Sequence, residues 1–263
     1  MREPDALDAA RVLALALVVA AAASLLVWGG LPAPAAGAFQ QIGFLVAPLL
    51  YARWAGLRPL VSTGFVRLPL RRLVFVLVAS LGSLWLLNGI VHVQKEVVRS
   101  AGYEQQAEQQ ERQIQRGIEA AQKQGAAPAL ALLVLIPPLC EETFFRGILF
   151  RGILARFGVA VAVGATSILF ALFHAMDIQK VLMLILGCYF GFLTYITRSL
   201  WASVVAHGVN NLAVLTLTWI YKGNLPDIVG PWWMYVFSAL VFGLGMTMLV
   251  LDRRAENSCP PGG

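Results

Sequence analysis

The chain has 263 residues, 59% of them hydrophobic and only 13% charged, against roughly a quarter charged in an average soluble domain. A soluble fold of this length would have to hide more apolar surface than one core accommodates, so the expected fold is all-α, a polytopic transmembrane helical bundle. The formal net charge of +6 does not indicate nucleic acid, because the arginines lie in short loops between apolar runs rather than on one polar face.

Crossing a hydrocarbon core takes roughly 17 to 25 apolar residues, and eight runs qualify: 7–29, 37–55, 73–93 and 128–149, then 158–175, 179–197, 199–221 and 231–251. The first follows Glu3, Asp5 and Asp8, lacks a small-residue cleavage site and precedes further spans, so it reads as a retained helix. Arg53, Arg58, Arg67, Arg71 and Arg72 fall on one side of this arrangement with Arg151, Arg156, Arg198, Arg253 and Arg254, while Lys180 and Lys222 fall on the other. The positive-inside rule makes the arginine side cytoplasmic and puts both termini there.

Between Lys95 and Gln124 the hydrophobicity collapses into a glutamine-rich stretch. An exposed helix is expected, supported by Glu108 with Arg112 and Glu119 with Lys123 at i, i+4. The chain thus divides into a three-span region 1–93, a polar helical loop 94–127, a core 128–221, and 222–263, a final span with a tail expected to be disordered from Glu256 onward. Cys140, Cys188 and Cys259 are too scattered to imply a disulfide framework. Pro260 occupies the fourth-from-last place that a prenylation box requires of cysteine, so the chain is not itself an obvious prenylation substrate.

A charge at mid-membrane costs at least ~2.5 to 3.5 kcal/mol, which makes ionisable residues in spans functional candidates. Glu142 and Arg146, four apart, share a helix face and partly neutralise one another; Glu141 points about 100° away and can address a different cavity. Glu142 and Arg146 are therefore assigned to holding the site together. Glu141 is assigned to water activation, since burial raises a carboxylate's basicity. A plain helix-end salt bridge is the competing reading. His174 closes an apolar stretch that includes Phe170 and, taken alone, reads as a packing histidine. His207 and Asn211, one turn apart, offer an imidazole and a carboxamide at one spot, suited to a developing oxyanion or to a polar helix–helix contact. Asn88 and His92 repeat that spacing with no carboxylate nearby in sequence.

Depth supplies a check. Counting from Pro128, Glu141 lies ~20 Å from the outer surface, and His207 lies ~12 Å from the inner one, so the two meet in a ~30 Å core. A span starting at Gly158 puts His174 ~24 Å from the inner surface, out of step with both.

Taken together, Glu141-Glu142-x-x-x-Arg146, Phe170-x-x-x-His174 and His207-x-x-x-Asn211, in that order on separate apolar spans, resemble the CPBP intramembrane protease family (CAAX protease and bacteriocin-processing), that of the CAAX prenyl endopeptidases. The resemblance covers roughly residues 128–215. It implies that Glu141 and His174 activate water while His207 and Asn211 hold the tetrahedral oxyanion, with Glu142, Arg146 and Phe170 in support. The expected function is an intramembrane endopeptidase acting on prenylated CAAX-type or other membrane-associated peptides or sorting signals. The alanine-rich first span and the lack of a eukaryotic targeting signal suggest a bacterial inner membrane.

No cofactor is expected. The alternative, since the family has been described both as glutamate-type and as metallo-endopeptidases, is Zn²⁺ held by Glu141, His174 and His207 with a position left for water; no His-Glu-x-x-His motif is present. The competing functions are a noncatalytic membrane scaffold or chaperone and a proton-coupled transporter; the inverted-repeat halves that a transporter would be expected to show are not visible. The expected partners are the lipid bilayer and a membrane-associated peptide or lipidated protein.

Overall fold

Helix is the only regular structure among the described residues of the computed structural model, which are 2–174, 180–221 and 229–258. α1 (Ala6–Trp28) starts at a capping box: Asp5 accepts from the N–H groups of Leu7 and Asp8, and the Asp8 carboxylate accepts from Asp5 N–H, satisfying donors that a first turn leaves orphaned. α2 (Ala33–Trp54), the single turn α3 (Pro59–Ser62), α4 (Leu70–Ser100), α5 (Glu104–Lys123) and α6 (Ala126–Ala129) follow. α7 (Ile136–Glu142) is flanked by two π-helical stretches, Leu130–Leu135 and Thr143–Leu149. α8 (Phe150–Phe173), α9 (Lys180–Thr197), α10 (Leu200–Ile220) and α11 (Trp232–Ser258) complete the described chain.

Seven of the described helices are long and apolar enough to cross a membrane, one being a 48-residue run from Ala126 to Phe173. At 1.5 Å per residue that run would reach ~72 Å, more than twice a ~30 Å core. Gly158 breaks it, with φ 80° and ψ 177°, a conformation open to glycine and closed to residues with a Cβ. Arg146 lies twelve residues before the break and Phe170 twelve after it, and the Arg146 guanidinium carbon sits 4.6 Å from the Phe170 ring centroid. The two arms therefore run side by side, and the run supplies two spans, which gives the expected bundle of about eight.

The arginine-bearing segments converge on one end of the bundle. Arg151 donates to the carbonyl of Arg198 (3.0 Å), Leu200 N–H to that of Gly64 (2.8 Å), and Ser199 Oγ to that of Val66 (2.7 Å). Gly152 lies so close to the first helix that a Cβ there would be 2.2 Å from the Asp5 carbonyl oxygen. At the same end Arg72 pairs with Asp252 and Glu256, each at 2.6 Å, and Arg253 donates to the Tyr195 carbonyl at 2.7 Å. The first and last described helices thus have their polar ends together.

Small residues let the spans approach. A Cβ on Gly82 of α4 would meet the backbone nitrogen of Phe242 at 2.4 Å, and one on Gly245 of α11 that of Ala79 at 2.5 Å. Such contacts suit association in lipid, where helices gain from packing rather than from expelling water.

Two expected boundaries move. α4 continues past residue 93 to Ser100, because the polar residues after the span remain good helix formers and Glu96 pairs with Arg99 at 2.8 Å. Residues 256–258, expected to be disordered, continue α11, where Glu256 gains Arg72 as a partner. Lys222, Cys259 and the rest of the tail lie outside the described residues. The glutamine-rich stretch is the helix expected: Glu108 pairs with Arg112 at 3.2 Å, while Glu119 accepts from Gln115 at 3.0 Å. Ala121 docks the end of α5 in a small apolar cluster with Ala129, Val134 and Leu215.

Candidate active site

Residues 140–150 are buried throughout, although Glu141, Glu142 and Arg146 are among them. Arg146, with no exposed surface, is the hub. Its Nε lies 3.2 Å from Glu142 Oε2, its Nη2 donates to the carbonyl of Gly187 at 3.0 Å, and its guanidinium lies over Phe170 and near Phe145 and Phe190. An isolated buried charge would be prohibitive; an ion pair with further hydrogen bonds and aromatic faces is tolerable. The π-helical stretch that carries Arg146 has an irregular Gly147 (ψ −123°) packed against Thr63, and such local rewinding is common at functional sites.

Glu142 also receives α10. The ring nitrogen Nδ1 of His207 lies 3.0 Å from Glu142 Oε1, and since a carboxylate only accepts, Nδ1 carries the proton. The His207 ring stacks on Phe190, with centroids 4.9 Å apart and planes 18° apart. One helical turn on, Asn211 donates through Nδ2 to the carbonyl of Leu133 (3.0 Å), a group in the first π-helical stretch.

Glu141 faces elsewhere, as its offset from Glu142 requires. Its Oε1 accepts from Gln41 Nε2 of α2 at 2.7 Å; its Oε2 is buried without a hydrogen-bond partner and lies 4.0 Å from His174 Nε2. His174 stands just past the last residue of α8, in extended backbone. Its Nδ1 is 2.7 Å from the Phe170 carbonyl; a carbonyl only accepts, so Nδ1–H donates and Nε2 keeps its lone pair towards Glu141. Phe170 thus orients His174 with its backbone and covers Arg146 with its ring.

The depth conflict at His174 has a geometric cause. Glu141 lies seventeen residues before the Gly158 break and His174 sixteen after it, so two arms of nearly equal length bring them level. Measuring both from Gly158, instead of from an assumed membrane surface, removes the discrepancy.

Gln41 escaped the sequence reading. The available signal was a pair of amides, Gln40 and Gln41, inside an otherwise apolar span. Among the described residues no three His, Cys, Asp or Glu side chains gather as a group able to hold a metal ion. Glu141 and His174 lie 4.0 Å apart, while His207 turns its Nδ1 to Glu142 and so has Nε2 outside that bond.

No curated protein and no solved structure matches the chain. A family model does, that of Type II CAAX prenyl endopeptidase Rce1-like proteins, over residues 123–213. That segment runs from the end of α5 into α10 and includes Glu141, Glu142, Arg146, Phe170, His174, His207 and Asn211, but not Gln41. Over residues 123–213, about a third of its length, this chain with seven helices long and apolar enough to cross a membrane is similar to the Rce1-like type II CAAX prenyl endopeptidases, a family of proteases.

Proposed function

We propose that the protein is an intramembrane endopeptidase that cleaves peptide bonds by general-base activation of water between Glu141 and His174. One observation carries the reading: Glu141 Oε2, buried and lacking a donor, lies 4.0 Å from the lone-pair nitrogen of His174. Two acceptors at that separation are complementary to a molecule with two O–H donors, and a bridging water is the smallest such molecule. Its oxygen would attack the scissile carbonyl carbon as Glu141 or His174 takes its proton. Collapse of the tetrahedral intermediate then breaks the C–N bond, and that proton passes to the leaving amine.

His207 and Asn211 are proposed to face the oxyanion. With Nδ1–H committed to Glu142, His207 would donate from Nε2 as an imidazolium. Asn211 uses one of its N–H groups on Leu133 and keeps a second for a substrate oxygen. A preorganised donor of this kind is worth about 2.7 to 4 kcal/mol in the transition state. The substrates proposed are prenylated CAAX-type or other membrane-associated peptides or sorting signals, and the setting a bacterial inner membrane with the arginine end of the bundle in the cytoplasm.

The test is cleavage of a panel of prenylated and unprenylated membrane peptides by purified protein, comparing wild type with Glu141→Ala, each with and without chelator. Cleavage by wild type alone, unchanged by chelator, is the expected result. Cleavage by Glu141→Ala would remove the general base from the scheme, and loss of activity with chelator would restore the metal.

A further inference from the structure

We infer that Gln41, contributed by α2 from outside the segment that matches the protease family, is a positioning residue that orients the carboxylate of Glu141 for reaction. The inference rests on the proposed role of Glu141. Gln41 Nε2 donates to Glu141 Oε1 at 2.7 Å, leaving Oε2 as the oxygen near His174. A carboxyl group has a roughly two-fold torsion about its last bond; holding one oxygen settles where the other lies.

Two features distinguish this from packing. The other end of the amide, Gln41 Oε1, is buried with no hydrogen-bond partner. An amide placed in an apolar span for stability would be expected to satisfy both ends, because a buried polar atom left unpaired carries a desolvation cost. Second, α2 is fixed against the site one turn away. Phe44 stacks on Phe144, with centroids 5.0 Å apart, and meets Phe145 and Phe173 edge-on. The aromatic contacts lock the helix, and Gln41 reaches Glu141 from that fixed base. His174 is oriented in the same manner by a backbone carbonyl, so each proposed water ligand is held through the atom that does not face the water.

The variants are Gln41→Met, which keeps the length and removes the hydrogen bond, and Gln41→Glu, which restores a polar group able to share a proton with Glu141. For Gln41→Met, kcat is expected to fall between about 10- and 100-fold, the scale on which a misplaced catalytic group slows an enzyme. KM should stay near the wild-type value, since ground-state binding is untouched, and the thermal unfolding midpoint should be equal or higher. Gln41→Glu should recover part of the lost kcat. Gln41→Met with wild-type kcat, or with kcat lost only in step with a lowered unfolding midpoint, overturns the inference.

A second readout does not need proteolysis. Dicyclohexylcarbodiimide modifies buried carboxyl groups, and a carboxyl oxygen held by an amide, as Glu141 Oε1 is by Gln41, is less open to it than a free one. Labelling of Glu141, read by mass spectrometry, should rise about fivefold in Gln41→Met, the equivalent of one hydrogen bond. If wild type cleaves nothing, the protease reading falls while this measurement still decides whether Gln41 governs Glu141. Unchanged labelling overturns the inference in either case.

Discussion

Adjacent carboxylates with different fates organise the site at the scale of residues. Glu142 is held on one side by Arg146 and on the other by His207, whereas Glu141 has one oxygen held and one without a partner. The difference follows from the roughly 100° between neighbours on a helix. Glu141→Ala, His174→Ala and His207→Ala are each expected to abolish proteolysis without preventing membrane insertion, while His92→Ala stays within a few-fold of wild type; a cleavage assay on purified protein checks all four. Arg146→Ala acts differently. It leaves Glu142 buried beside one remaining partner, and breaking one half of a buried pair costs about 3 to 5 kcal/mol, so its effect is expected in thermal unfolding as well as in turnover.

At the scale of elements, irregularity is concentrated where the chemistry is proposed. Both π-helical stretches flank α7, α8 ends just before His174, and Gly158 turns the chain between two arms that meet at Glu141 and His174. A Cβ at residue 158 would meet no atom within 4 Å, so the cost of substitution lies in the backbone alone. Gly158→Ala should therefore destabilise by about 1 to 3 kcal/mol, the range for a non-glycine residue held in such a region. Because the turn sets the relative height of the two arms, kcat should fall as well, measured on the variant that remains folded in detergent.

Across the described residues of the molecule, buried charge is confined to a few places. Asp8 is covered by Arg2 and the Tyr51 hydroxyl, and Arg72 and Asp252 tie α4 to α11, both at the arginine end; the catalytic candidates occupy the interior. Arg2, outside the spans, has its guanidinium pKa raised, chiefly by its hydrogen bonds to Asp8. The side assigned to the arginines leads to a labelling prediction. Cysteines introduced at residues 67 and 254 should react with an impermeant maleimide only from the cytoplasmic side, and one at residue 103 only from the opposite side. Labelling of 67 and 254 from opposite sides would contradict the convergence of these segments.

The sequence by itself determined the solvent, the helical class, the approximate number of spans and the pairing of Glu142 with Arg146, because hydropathy and the i, i+4 period are local properties of the chain. It also assembled the motif residues as a set, though His174 looked misplaced while depth was measured from the membrane surface. Only the tertiary structure decided that His207 binds Glu142, that Asn211 meets Leu133, and that Gln41 holds Glu141 across a hundred residues of chain. The physical reason is that hydrogen bonds between helices depend on which faces the packed aromatic and glycine contacts bring together. No spacing along one strand of sequence encodes that choice.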